Sequence, residues 1–127
     1  MAAEMLNADE ITPPMRRMKD FAEFLARRLM DVDLRVVFVR KANAGSTYCR
    51  LNERTGELGF IVQRLGKTWF ERPPFQEDVL ALLLHELAHH FESDHLSDNY
   101  YKACTRLAGK LAVDVLESPH DYRKWRG

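Results

Sequence analysis

The segment His85-Glu86-Leu87-Ala88-His89 carries two histidines four positions apart, with a carboxylate next to the first. On a helix, residues at that spacing lie one above the other, about one turn of rise apart. Their imidazoles can then reach a single ion at metal–nitrogen distances of ~2.0–2.1 Å. Glu86 is displaced one step around the helix, out of the ligand column but within reach of a water at the ion. Zinc lowers the pKa of such a water toward ~7, and a carboxylate so placed accepts its proton. The chemistry expected is activation of a metal-bound water, with Glu86 as the proton acceptor.

A catalytic zinc takes three protein ligands and keeps a fourth position open. His95 follows His89 by six residues, which on an unbroken helix would carry it off the ligand face. The Ser93-Asp94 break lets the chain fold back and present it. Glu117, Asp98 and Asp114, on the last helix, are the other candidates for the third position. His90 points ~100° away from His89 on an ideal helix and is not counted as a ligand. Four of the five histidines fall between His85 and His95, which makes a metal site a stronger reading than scattered surface histidines.

These residues need elements to hold them. Thr12-Pro13-Pro14 reads as a helix start, and Met15, Met18, Phe21, Leu25 and Leu29 recur at helical spacing to about Met30. Residues 34–40 form a short β-branched run, expected to be a strand buried on most of both faces. Residues 47–51 and 58–63 read as a hairpin about a turn at 52–56. A connection over 66–74 leads to a helix from Phe75 to about Glu92. Ser97 or Asp94 can cap a last helix bearing Tyr100, Cys104, Leu107, Leu111 and Val115, ending near Ser118-Pro119. Strands and helices are grouped, which predicts an α+β fold with an antiparallel or mixed sheet.

The chain has 127 residues, enough for one domain with a modest core, and 46% of them are hydrophobic. Nineteen basic and nineteen acidic residues cancel, which argues against binding nucleic acid by bulk charge. Arg123-Lys124-Trp125-Arg126 offers local charge and a stacking ring; residues 120–127 are nonetheless read as a solvated, flexible tail, and residues 1–11 as a flexible leader. Cys49 and Cys104 make no disulfide framework and suit a reducing compartment. The longest apolar run, residues 79–84, is far short of the ~20 needed to span a bilayer. The acidic N-terminus lacks a secretory pattern. A cytoplasmic protein with no membrane partner is expected; oligomeric state is not legible.

The His85–His95 pattern resembles the zincin superfamily of zinc metallopeptidases. Metzincins fit poorly: Glu92 stands where they carry glycine, and all five methionines lie at or before Met30. The better likeness is to SprT-like and related small bacterial and phage metallopeptidases, which carry HELxH, then an Asp-His pair, then aromatic residues opening the next helix. Here these are His85-Glu86-Leu87-Ala88-His89, Asp94-His95 and Tyr100-Tyr101, so the resemblance is specific over residues 83–101. Many SprT-like proteins add a four-cysteine zinc ribbon, which two isolated cysteines cannot form.

The resemblance implies a single zincin-like domain over residues 1–127, with an N-terminal backing helix, three-stranded sheet, HExxH helix and C-terminal helix. It implies Zn2+ held by His85, His89 and His95, Glu86 as base, and Tyr100 or Tyr101 as a donor to the oxyanion. The substrate would be a peptide or protein, paired with an edge strand for which residues 58–63 are the candidate. A non-catalytic zincin-like metal-binding or regulatory domain and a DNA-associated protease are the alternatives.

Overall fold

The computed structural model describes residues 4–127. Helix α1 (Pro13–Met30) starts where Thr12 Oγ1 accepts the Met15 N–H at 3.3 Å, with prolines in the first turn. It stops at Asp31, which takes a left-handed conformation (φ 53°). Its buried face is Met15, Met18, Phe21, Ala22, Leu25, Ala26 and Leu29, as the helical spacing predicts.

Strands β1 (Asp33–Val39), β2 (Ser46–Asn52) and β3 (Thr55–Ile61) form a mixed sheet in the order β1-β3-β2. The expected hairpin is present: β2 and β3 pair antiparallel. β3 also pairs with β1, in parallel, so it is the central strand. This corrects the placing of residues 58–63 at an edge. Hydrogen-bonding groups on both sides of β3 are committed, and the chain leaves the sheet at Val62 into short helices α2 (Val62–Leu65) and α3 (Lys67–Glu71). β1 also differs from expectation. Leu34, Val36 and Phe38 face α1, while Asp33 and Arg35 are exposed, so one face is buried over most of the strand.

The outer edge of β1 is not bare. Leu6 N donates to Phe38 O at 3.0 Å, Arg40 N to Glu4 O at 2.9 Å, and Met5 bridges Val39. Residues 4–6, expected to belong to a flexible leader, therefore pair with the end of β1, residues 8–10 form a 3-10 turn, and Arg40 clasps Glu4 and Glu10. Residues 1–3 of that expected leader fall outside the described residues. The other sheet edge is β2, with which no further strand pairs among the described residues.

Helix α4 (Glu77–Ala88) packs Val79, Leu83 and Leu87 into the core, and α5 (Asp98–Glu117) adds Tyr100, Leu107 and Leu111. α4 ends four residues earlier than its apolar pattern suggests, the chain turning from His89 onward. The tail is the larger departure. Residues 119–125 form two 3-10 turns, and Tyr122 and Trp125 are buried at 1% and 5% exposure. Their rings pack on Phe24, and Trp125 also meets Phe21 at 5.3 Å between centroids. Arg28 of α1 grips Asp114 with two hydrogen bonds of 2.9 Å and reaches Asp121 at 3.0 Å. The Arg28 guanidinium holds the Asp114 carboxyl below its ordinary pKa. The Trp125 ring is therefore core and not a free stacking arm, because the aromatic surface it covers on α1 would otherwise face water. No helix among the described residues is long and apolar enough to cross a membrane.

Trp125→Ala should destabilise the domain by about 3–5 kcal/mol, the cost of emptying a buried aromatic site. Urea unfolding would show this as a lowered midpoint; an unchanged midpoint would mean the tail does not contribute to the core.

Candidate metal centre

Helix α4 delivers His85, Glu86 and His89 to its C-terminal end. His85 is exposed, His89 half-buried, and Glu86 only 7% exposed. Their possible ligand atoms lie within 4.8 Å of one another. A buried carboxylate needs a donor. Ser46, the first residue of β2, supplies it: its hydroxyl donates to Glu86 Oε2 at 2.5 Å. That bond fixes one oxygen and leaves the other for a further proton.

The ring protons of the two histidines follow from their partners. Tyr100 Oη donates its one proton to the His85 backbone carbonyl at 2.8 Å. It lies 2.8 Å from His85 Nδ1 as well, so at that contact the ring N–H donates and the phenol oxygen accepts. His89 Nδ1 lies 3.1 Å from Glu92 O, a carbonyl that can only accept. Both histidines thus carry their proton on Nδ1 and keep the Nε2 lone pair free, the arrangement that orients metal-binding imidazoles.

His95 reaches the same place from a different element. After α4 the chain turns through Asp94, whose Oδ1 accepts from Leu96 N at 3.0 Å. Ser97 then donates Oγ–H to Asp94 O at 2.8 Å and caps α5 by accepting from Tyr100 N at 3.1 Å. His95, inside that turn, sits with its ring centroid 5.9 Å from His85 and 5.6 Å from His89, while His85 and His89 are 5.2 Å apart. Three imidazoles on one tetrahedral ion, each bonded at ~2.0–2.1 Å, would put their centroids roughly 5 Å apart. The His95 ring stands slightly farther out than that spacing. The ligand atoms that meet within 4.8 Å are those of His85, Glu86 and His89, and His95 would have to close in to become a third ligand.

The Tyr100 ring lies 4.7–6.0 Å from all three histidine rings and is itself buried. Its hydroxyl is committed to His85, so its contribution here is positioning. Tyr101 is 73% exposed on the outer side of α5. Asp114 is taken up by Arg28 and Tyr122. Glu117 stands at the far end of α5, about 25 Å along the axis from Tyr100 at ~1.5 Å per residue. Asp98 is exposed at the start of α5 and belongs to no metal-type cluster among the described residues.

Three residues that carry no motif complete the site. Tyr48 of β2 approaches His90 Nδ1 at 2.6 Å, and His90 Nε2 lies 2.8 Å from Glu53 O in the hairpin turn. The carbonyl fixes the His90 proton on Nε2, so Tyr48 Oη donates to Nδ1. His90 is 2% exposed, turned away from the trio as helix geometry predicts. Burial pushes the Tyr48 phenol up to about 12, so it remains a donor. The third is Gly56, opposite this pair: a Cβ there would stand 2.0 Å from Tyr48 Oη. Only alternation along β2 hinted at any of this, since Ser46 and Tyr48 are two apart and share a face.

Between β2 and the end of α4 opens a cleft of about 560 Å³ lined by Thr47, Tyr48, Arg50, Glu86, His89, Ser93 and His95. β2, the open edge strand, forms one wall of it. Tyr100→Phe removes the hydroxyl that sets the His85 tautomer and should weaken zinc binding about 10–100-fold, the usual effect of losing an outer partner of a metal-binding histidine. Competition with a chromophoric chelator would measure this; unchanged affinity would take Tyr100 out of the site. No protein-family model, curated protein or solved structure matches this chain.

Proposed function

We propose that this protein is a zinc-dependent metallopeptidase of the zincin type. The observation that carries the reading is the grouping of His85, Glu86 and His89 with the His95 ring beside them, the two α4 imidazoles being held through Nδ1 so that Nε2 is left free. The α+β frame supports it: a helix behind a small sheet, an HExxH helix below, and an open edge strand along the cleft.

In this reading His85, His89 and His95 hold the zinc, which when bound acidifies a water and polarises a peptide carbonyl. Glu86 takes the proton from the attacking water and delivers it to the departing amine. Ser46 holds the carboxylate in its rotamer so that one oxygen stays directed at the cleft. β2 offers its unpaired backbone groups to an extended substrate chain, a strand-addition mode that positions the scissile bond without reading sequence.

A metal-binding domain without turnover is the competing reading. The burial of Glu86 and its tie to Ser46 favour it, because a carboxylate so held also acts as a structural clamp.

Metal content by mass spectrometry, on protein purified without an affinity tag, separates these readings when combined with hydrolysis of an unfolded protein such as casein. Wild type should carry about one zinc per chain, the expected number for three histidines around one open position. His95→Ala should lose most of it. Glu86→Gln should keep the zinc and lose turnover by at least about 10²-fold, the range for removing a general base. Absence of zinc in wild type after its addition would sink the metal site. Undiminished hydrolysis by Glu86→Gln would sink the mechanism.

A further inference from the structure

We infer that the cleft selects chains bearing a carboxylate close to the scissile bond, and that Arg50 reads it. The inference rests on the peptidase reading and concerns the same cleft. Along β2, Ser46, Tyr48 and Arg50 share one face, by the two-residue period of a strand. Ser46 meets Glu86 and Tyr48 meets His90, so the face is directed at the end of α4, and Arg50 lines the cleft there. Its partner across the sheet is Gly56, which has no side chain to contact it.

The guanidinium is uncommitted. Its one hydrogen bond runs from Nε to Asn52 O at 3.4 Å, which leaves both terminal nitrogens without a partner among the described residues. No carboxylate among the described residues lies within 4.0 Å of it, whereas Arg28, Arg40, Arg54 and Arg72 each hold one. The one acidic residue lining the cleft is Glu86, whose buried carboxylate is engaged by Ser46. A planar fork with free N–H groups on the wall of a cleft matches a carboxylate in two-pronged geometry, better than any neutral group.

Position narrows the class further. Arg50 is four residues along β2 from Ser46, roughly 13 Å at ~3.3 Å per residue, and its long side chain spans part of that distance. A peptide added to β2 would therefore carry its carboxylate roughly two to four residues from the bond beside Glu86. Aspartate or glutamate side chains and a free C-terminal carboxylate both satisfy this chemistry.

The test uses zinc-loaded Glu86→Gln protein and fluorescent peptides, read by anisotropy. Matched peptides carry Glu or Gln at each position from two to four residues on either side of a fixed centre, with amidated or free C-termini. Binding of a carboxylate peptide should exceed that of its neutral twin by about tenfold, in line with a charge-assisted pair on a cleft wall. A gain confined to internal Glu identifies a side-chain reader, and one confined to the free terminus a terminal-carboxylate reader; either supports the inference. Arg50→Glu in the same background should reverse the preference toward peptides with Lys in place of Glu. Arg54→Gln, a hairpin cation outside the cleft, should preserve it. Equal binding of the twins, or the same loss from either arginine, would overturn the assignment to Arg50. Turnover of the same peptides by wild type is scored separately. A retained binding preference with no cleavage by zinc-loaded wild type would sink the peptidase reading alone.

Discussion

Two polar side chains are buried at the C-terminal end of α4, and the sheet is what satisfies both. Glu86 takes the hydroxyl of Ser46, and His90 is held between Tyr48 and the Glu53 carbonyl. Leaving either without a partner would cost on the order of 1–3 kcal/mol, more for the carboxylate, so the end of this helix is stable only in contact with β2. That requirement sets the distance between helix and edge strand, and the cleft is the space left between them. Gly56 belongs to the same constraint. Any side chain there would push the Tyr48 phenol off His90 and unfasten strand from helix.

The histidine trio is built on a second dependence, through Tyr100. Its ring lies within 6.0 Å of all three imidazoles and its hydroxyl bonds both ring and backbone of His85. Because Tyr100 opens α5 and Ser97 caps that helix, the turn bearing His95 is anchored at both ends. The site thus joins three segments, the end of α4, the turn after it and the start of α5, while β2 closes the fourth side. Far from the cleft, Arg28 and the Tyr122–Trp125 turns bind α5 back onto α1, which keeps α5 from pivoting about its capped end.

What was legible in the sequence follows the range of the interactions involved. α1, the hairpin, α4 and α5 were readable because periodicity and caps are local: Thr12 and Ser97 both cap as their types suggest. The spacing of His85, Glu86 and His89 is likewise a property of one helix, whereas how near His95 comes depends on the turn after it, which sets its ring 5.6–5.9 Å from the other two. The central position of β3 was not readable, since the pairing with β1 is decided by which strand is inserted between two others, and no local pattern records that. The fate of Trp125 was hidden for a related reason. Three charged neighbours, Arg123, Lys124 and Arg126, mask a ring whose partners, Phe21 and Phe24, lie a hundred residues earlier. Ser46, Tyr48 and His90 carry no motif because their roles exist only once β2 lies across α4.

The two sheet edges meet opposite treatment. Residues 4–6 pair with the end of β1, taking up outward backbone groups of Phe38 and Arg40, so that stretch of the edge is covered. β2 is left as the open side among the described residues, and it is the strand that walls the cleft. Any sheet-to-sheet association through β2 would stopper the cleft at the same stroke. Short length, a register shift near Arg50 and the charged, polar run from Ser46 to Asn52 all work against such stacking. What discourages pairing at this edge also keeps the cleft accessible, and both are properties of a single strand.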